Sequence, residues 1–217
     1  MSKVVDYSAV KPLLKDGMSL MIGGFLGCGT PEGLISLIIE MDLKDLTIIC
    51  NDTSFVDKGI GRLVANGNVK KVITSHIGTN PESGRRMNEG TLEVELSPQG
   101  TLIERIRAAG SGLGGVLTPT GVGTMVEDGK QKIQLNGKDY LIEMPLKADL
   151  ALVFASTVDS FGNAYYKGTT RNFNPIIALA GDKVVVEAEE LVEVGKIDPE
   201  VVMTPGVLVD YIVKGED

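Results

Sequence analysis

The residues best placed to do chemistry in this chain are glycines rather than acids or bases. Residues 16–31 read Asp-Gly-Met-Ser-Leu-Met-Ile-Gly-Gly-Phe-Leu-Gly-Cys-Gly-Thr-Pro. An apolar run over 18–22 breaks into Gly23, Gly24, Gly27 and Gly29, then into Thr30-Pro31, a good N-cap and first helical residue. Glycine lets the backbone take positive φ and lets a ligand approach with no Cβ in the way. A helix N-terminus adds unpaired N–H donors and a partial positive charge. Strand, glycine loop and helix start together suit an anionic or thioester-bearing ligand. The spacing is not the dinucleotide fingerprint, and no Gly-Lys-Ser/Thr follows, which excludes a P-loop.

Other polar residues stand where strands should end. Gln99, between Pro98 and Gly100, sits at a strand-to-helix switch. Its amide can donate to an acyl carboxylate or a thioester oxygen, or cap the helix it opens. Asn51 and Asp52 follow an apolar run and can hold a ligand or close a local turn. His76 is the only histidine, and Cys28 and Cys50 lack metal-ligand spacing. No metal site is therefore expected; the imidazole reads as a structural hydrogen-bonding group and the cysteines as reduced, semi-buried thiols. The glycine run over 110–115 follows a helical stretch, so it reads as a mobile loop near a subunit or ligand site and not as a dinucleotide site. Arg85, Arg86, Arg105 and Arg107 can pair with the phosphates of a ligand, but read better as solvated surface charge or as partners of Glu82, Glu89 and Glu104.

These residues need a frame. Short Val/Ile/Leu runs at 18–23, 46–50 and 69–75 alternate with helical stretches at 7–15 and 33–41, and a strand at 92–96 leads into a helix over 99–109. That order predicts parallel crossover units, with strands covered on both faces. Asn136-Gly137 between 132–135 and 140–143 predicts a β-hairpin insertion near 130–144. Strands are expected at 149–157, 164–166 and 183–187, and a helix from Asn174-Pro175 to Ala180. The fold class is thus α/β, with an open, mainly parallel sheet flanked by helices. No linker or repeat divides residues 1–217, so one domain is expected. In such sheets ligands sit outside the carboxyl ends of the strands; the loops at 24–29, 51–53, 76–78 and 97–100 should converge there.

With 217 residues and a net charge of −8, the chain disfavours a nucleic-acid or anionic-membrane surface. No apolar run is long enough to span a membrane, and no basic segment precedes a long apolar run at the start. A cytoplasmic location is expected.

Residues 16–31 resemble the signature of family I coenzyme A-transferases: an acidic residue, Gly, an apolar triplet, Gly-Gly-Phe, three residues, Gly, any residue, Pro. Further blocks fit the same family: Asn51-Asp52-Thr53, 75–81, 97–102, 117–124 and Arg171-Asn172-Phe173-Asn174-Pro175. The resemblance covers essentially the whole chain and is greatest for alpha subunits of the acetate, acetoacetate and butyrate enzymes. It implies a fold shared with ribose-5-phosphate isomerase. It implies contact with coenzyme A, a substrate and carrier rather than a cofactor, through Gly23, Gly24, Phe25, Leu26, Gly27, Cys28 and Gly29. Gln99 and Asn51 become possible acyl or oxyanion contacts. The family reaction is ping-pong, through a glutamyl-CoA thioester. The family's nucleophilic glutamate lies in a Ser-Glu-Asn-Gly-like turn of the beta half, and this chain has no such stretch. The resemblance therefore implies a beta-subunit partner, an alpha-two beta-two assembly, and no catalytic nucleophile in this chain. A non-catalytic scaffold subunit and a sugar-phosphate isomerase on the same fold remain the alternatives.

Overall fold

In the computed structural model, which describes residues 2–215, the chain order is α1 (Tyr7–Val10), β1 (Ser19–Ile22), α2 (Glu32–Glu40), β2 (Leu46–Ile49), α3 (Ile60–Ala65), β3 (Val69–Thr74), α4 (Pro81–Asn88), β4 (Glu93–Leu96) and α5 (Gln99–Gly110). There follow β5 (Val116–Thr118), β6 (Lys132–Leu135), β7 (Lys138–Glu143), β8 (Ala148–Asp159), β9 (Ala164–Tyr165), α6 (Asn174–Ile177), β10 (Gly181–Val192) and β11 (Tyr211–Lys214). The main sheet runs β11-β10-β8-β1-β2-β3-β4, and β9 pairs with β8. Every pair along that path is parallel; only β9 is antiparallel.

Successive strand residues point to opposite faces, and both faces are covered. Leu20, Ile22, Ile48, Leu152 and Val185 pack with Val10 of α1, Leu34 and Ile38 of α2 and Leu63 of α3. Met21, Ile49, Val153 and Val186 pack with Leu102 and Ile106 of α5 and Ile177 of α6. Fully burying one such side chain is worth about 1.5–3 kcal/mol. Burial on two faces is therefore enough to hold strands only four residues long, such as β1 and β2, at the centre of the sheet.

The strand order reverses at β1. From there β2, β3 and β4 step outward one way, and β8, β10 and β11 the other. That reversal opens a crevice at the carboxyl ends, between the loop leaving β1 and the segments that follow β8.

Several elements differ from the sequence expectation. The helix expected over 7–15 stops at Val10 and tightens into a 3₁₀ turn, Lys11–Leu13, because Pro12 lacks an N–H and Leu14 is already extended. The helix expected from Asn174 to Ala180 is the single turn α6. β8 and β10 outrun their apolar cores, staying paired from Ala148 with Gly181 to Asp159 with Val192. The hairpin forms as β6 and β7, with Asn136 and Gly137 at φ 51° and 73°, as its tight turn requires. The stretch 110–123, expected to be loop, also contributes β5, which pairs with β7 and completes a three-stranded sheet. Its three residues are too few to show an alternation.

Arg105 is not a surface charge: it is 9% exposed and ties the small sheet to the main one. Its Nε donates to the Met144 carbonyl at 2.9 Å and its Nη1 to Glu95 at 3.1 Å. Arg85 pairs with Glu82 and Glu89, and Arg107 with Glu104, as their helical spacing predicts. Among the described residues no helix is long and apolar enough to cross a membrane.

Candidate functional site

The glycine loop leaves β1 at the strand reversal. Gly23 N–H still donates to the Leu152 carbonyl at 3.0 Å, and Phe25 and Cys28 then exchange N–H···O bonds of 3.0 and 2.9 Å, closing a tight loop. Glycine is required here because the chain itself comes too close for a side chain. A Cβ on Gly23 would lie 1.8 Å from Asn174 Oδ1, and one on Gly24, at φ 129°, would lie 2.1 Å from Thr30 Oγ1. Both residues are buried.

The 171–175 block supplies the clasp. Asn172 Oδ1 accepts from Gly24 N–H at 3.2 Å, while its Nδ2 donates to the Cys28 carbonyl at 3.0 Å. Asn174 Nδ2 donates to the Gly29 carbonyl at 2.9 Å, and Asn174 Oδ1 accepts from Phe154 N–H at 3.1 Å. The two halves of the sheet are thus stitched together across the crevice.

The helix start differs from expectation. Thr30 is buried and does not cap; Pro31 stands at the cap with no side-chain bond to the helix. Instead Glu187 of β10 reaches under α2 and accepts from Gly33 N–H at 3.1 Å and Leu34 N–H at 2.7 Å. Burial pushes the Glu187 carboxyl up, and those two N–H groups with the Tyr7 hydroxyl oppose that rise in part. The donors and dipole of α2 are therefore occupied from within. The open part of the loop is its tip. Phe25, Leu26 and Cys28, with Thr169 and Asn172, line an apolar depression of about 560 Å³. The Cys28 thiol lies 3.3 Å from the Thr169 hydroxyl. Cys50 is fully buried, which drives its thiol pKa well up, with Asp52 adding to the effect.

The other strand-end loops converge as the parallel order requires. Gln99 Nε2 donates to Asn51 Oδ1 at 2.7 Å, joining the start of α5 to the end of β2. Asn51 Nδ2 donates to Asp52 Oδ2 at 2.7 Å, and Asp52 accepts Leu26 N–H at 3.0 and 3.2 Å. Leu26 is a non-glycine residue at φ 48°, a left-handed conformation that costs about 1–3 kcal/mol and gathers at functional sites. Gln99 is exposed while Asn51, 2% exposed, lies behind it. Gln99 does not cap α5, which has no side-chain cap. Asp52 also accepts Ser54 N–H at 2.7 Å, the local turn bond that its residue type allows. His76 takes part through its carbonyl, which accepts from Thr53 N–H at 3.2 Å; its exposed imidazole makes no hydrogen bond among the described residues. The glycine run over 110–115 is not part of this crevice. α5 begins at the carboxyl edge and runs back, so Gly110 abuts Leu179 near the start of β8.

Two contributors were not singled out from sequence. Glu187 carried a signal, a carboxylate inside the apolar run Val184-Val185-Val186-Glu187-Ala188, where a charge needs a partner. Ser75, whose Oγ donates to the Asn51 carbonyl at 2.7 Å, carried only its place at the head of the family block 75–81.

The model of the coenzyme A transferase family matches residues 7–215. The chain is 57% identical over 213 residues to the acetoacetyl-CoA:acetate/butyrate CoA transferase alpha subunit of Clostridium acetobutylicum, covering 98% of each chain. It is 54% identical over 216 residues to the acetate CoA-transferase subunit alpha of Escherichia coli, covering 100% of this chain and 98% of that one. Among solved structures, an acyl-CoA transferase of Escherichia coli O157:H7, a thioester complex with CoA, superposes with a TM-score of 0.86 at 24% identity. That match covers 99% of this chain and 47% of the other, so this chain spans about half the length of that relative and shares its fold. By family model, relatives and fold together, the chain belongs to the coenzyme A transferase family and is a CoA-transferase polypeptide.

Proposed function

We propose that this chain works as the alpha subunit of a heteromeric short-chain acyl-CoA:carboxylate CoA-transferase, exchanging CoA among acetate, acetoacetate and butyrate. One observation supports this reading beyond the likeness to alpha subunits: among the described residues, the carboxylates that brace the glycine loop and its neighbours are already engaged by donors. Asp52 is taken by Leu26, Ser54 and Asn51, and Glu187 by Gly33 and Leu34. Glu32 accepts from Gly59 N–H and pairs with Arg62. Glu89, the glutamate of Asn88-Glu89-Gly90, follows α4, at the edge where β4 begins, and pairs with Arg85.

A glutamate of the beta subunit therefore supplies the nucleophile. Its carboxylate oxygen attacks the thioester carbonyl carbon, the C–S bond breaks, and CoA leaves as thiolate from an acyl-glutamyl anhydride. The thiolate then attacks the glutamyl carbonyl, releasing the first acid as carboxylate and leaving a glutamyl-CoA thioester. The second acid repeats these steps in reverse. Each attack places negative charge on a carbonyl oxygen, and preorganised donors there lower the barrier. In this chain the exposed Gln99 amide is the donor, with Asn51 holding it from behind. The loop tip over 25–28 seats the carrier, and Gly23, Gly24 and Gly29 give the loop its shape. The partner covers the carboxyl-edge rim, where Phe55, Val56, Leu96 and Phe161 stand exposed. An alpha-two beta-two enzyme in the cytoplasm is the assembly that fits the resemblance.

The deciding experiment mixes this chain with its beta subunit and follows CoA transfer from acetoacetyl-CoA to acetate. Activity is expected only from the mixture, with ping-pong kinetics. Transfer by this chain alone refutes a partner-borne nucleophile, and an assembled pair inert toward all three acids refutes the substrate class. A scaffold reading is favoured by the way the chain's own atoms crowd Gly23 and Gly24. Phe25→Ala separates the two: seating the carrier predicts a higher KM for acyl-CoA, and a pure scaffold predicts no change.

A further inference from the structure

Asp52 is 3% exposed and has no ion-pair partner among the described residues. Its carboxylate is satisfied by donors alone: Leu26 N–H at 3.0 and 3.2 Å, Ser54 N–H at 2.7 Å and Asn51 Nδ2 at 2.7 Å. A carboxylate of this kind only accepts. Asn51 must therefore turn its NH₂ toward Asp52, and its Oδ1 must face the other way. That oxygen accepts from Gln99 Nε2 at 2.7 Å and from Ser75 Oγ at 3.3 Å. Gln99 must in turn direct its NH₂ inward along this line, leaving its second N–H and its Oε1 in a fixed arrangement at the surface of the crevice. The direction of the whole chain of amides follows from one buried charge.

The same carboxylate grips the backbone at two strained points, Leu26 at φ 48° and Ser54 at φ 54°. A simple Asx turn accounts for the Ser54 bond. It does not account for the bond to Leu26 in a different loop, or for the bond to Asn51.

We propose that Asp52 is a positioning residue for CoA transfer: it fixes which way the Gln99 amide presents its donor, and it ties that setting to the tip of the glycine loop. This inference rests on the reading that Gln99 faces the reacting acyl group.

The test uses the enzyme assembled with its beta subunit and compares kcat and the KM for acyl-CoA in wild type, Asp52→Asn, Gln99→Ala and the double variant. Asn at 52 keeps the shape and can still accept from Leu26 and Ser54, but it sets a donor against Asn51. Either Asn51 and Gln99 reverse, or their bond is lost. Asp52→Asn is expected to lower kcat by about 10- to 100-fold, with KM little changed and assembly intact. In the Gln99→Ala background the same change should cost less than about twofold, because the two act through one group. Full additivity, or an Asp52→Asn enzyme with wild-type kcat beside a crippled Gln99→Ala, overturns this inference and leaves the site reading standing. A Gln99→Ala enzyme with wild-type kcat overturns both. Should Asp52→Asn fail to assemble, Asp52→Ser, which removes the carboxylate without adding bulk, is compared in the wild-type and Gln99→Ala backgrounds. An assembled Asp52→Ser enzyme with wild-type kcat, or one whose loss adds in full to that of Gln99→Ala, overturns the proposal.

Discussion

The two edges of the main sheet are made by the same strands and treat charge in opposite ways. Where strands enter, polar groups face solvent and pair among themselves. Asp16 accepts Lys44 N–H at 2.8 Å, Asp149 accepts Ser19 N–H at 2.7 Å, and Lys183 pairs with Asp210 at 2.9 Å. Where strands leave, the pattern inverts. Asp52, Asp159 and Glu187 are only 3%, 2% and 5% exposed, while Phe25, Phe55, Leu96 and Phe161 stand in solvent. Buried carboxylates brace the loops from inside, and apolar side chains crown them. An edge that only had to end strands would have no need of either. The difference sets a self-sufficient entry edge against an exit edge whose exposed apolar crown suits the cover proposed above for the beta subunit.

The sharpest way to break this comparison is a methyl group at each edge. Gly23→Ala drives a Cβ into Asn174 Oδ1, which is fixed by the Phe154 N–H. A loss of about 3 kcal/mol is expected, since neither the strand end nor the clasp can give way. Gly17→Ala enters open space, with nothing within 4 Å, and meets only the strain of φ 73°. About 1 kcal/mol is expected. Urea unfolding of both variants measures the gap; equal losses would mean the clasp is soft.

Much of this contrast was legible in the sequence, and the reasons are physical. Short continuous apolar runs specify strands buried on both faces, so the parallel order and the loops meeting at one edge followed from pattern alone. The glycine loop was legible as a loop, but its cause was not. Sequence shows that a Cβ is forbidden, and only geometry shows that Asn174 and Thr30 forbid it. The helix start at Thr30-Pro31 misled for a related reason: a local cap signal cannot reveal that Glu187, from a strand far along the chain, already holds those N–H groups. α4 shows the opposite failure. Asn80-Pro81 is a complete start signal, yet the polar run that follows has almost no apolar face to mark it as a helix.

A charge placed on the exit-edge crown should separate self-sufficiency from partnership. Phe55 is 43% exposed, so Phe55→Asp should leave this chain's own unfolding midpoint almost unmoved. Its affinity for the beta subunit should fall by about 2 kcal/mol, the scale of an interface aromatic. Titration calorimetry reads the second value; unaltered affinity would show that the partner seats elsewhere. A smaller effect is expected under the crown. Asn80 accepts from Glu82 and Ser83 N–H at 3.1 and 3.3 Å, and donates to the Thr53 carbonyl at 2.9 Å. Asn80→Ala should cost about 1 kcal/mol in urea unfolding. A neutral result would mean that water replaces the cap and that Asp52, Thr79 and Ser83 brace the loop after β2 without Asn80.

The finest distinction between the edges is the sign of their pH dependence. At the exit edge, burial raises the Glu187 carboxyl above its ordinary 4.5. Between that value and the raised one the folded state binds more protons than the unfolded state, so the Glu187 contribution is whole below 4.5 and is lost as pH rises through the folded value. At the entry edge, hydrogen bonds from the Ser19 N–H and hydroxyl lower the Asp149 carboxyl below its ordinary 3.8. Its contribution is whole above 3.8 and is lost as pH falls through the lowered value. Urea midpoints measured across the acid range should therefore show Glu187→Gln and Asp149→Asn diverging from wild type in opposite directions. The Glu187→Gln deficit shrinks as pH rises and the Asp149→Asn deficit shrinks as pH falls. Parallel curves would mean that the carboxylate under α2 is hydrated like one at the surface, and the two edges would no longer differ in how they hold charge.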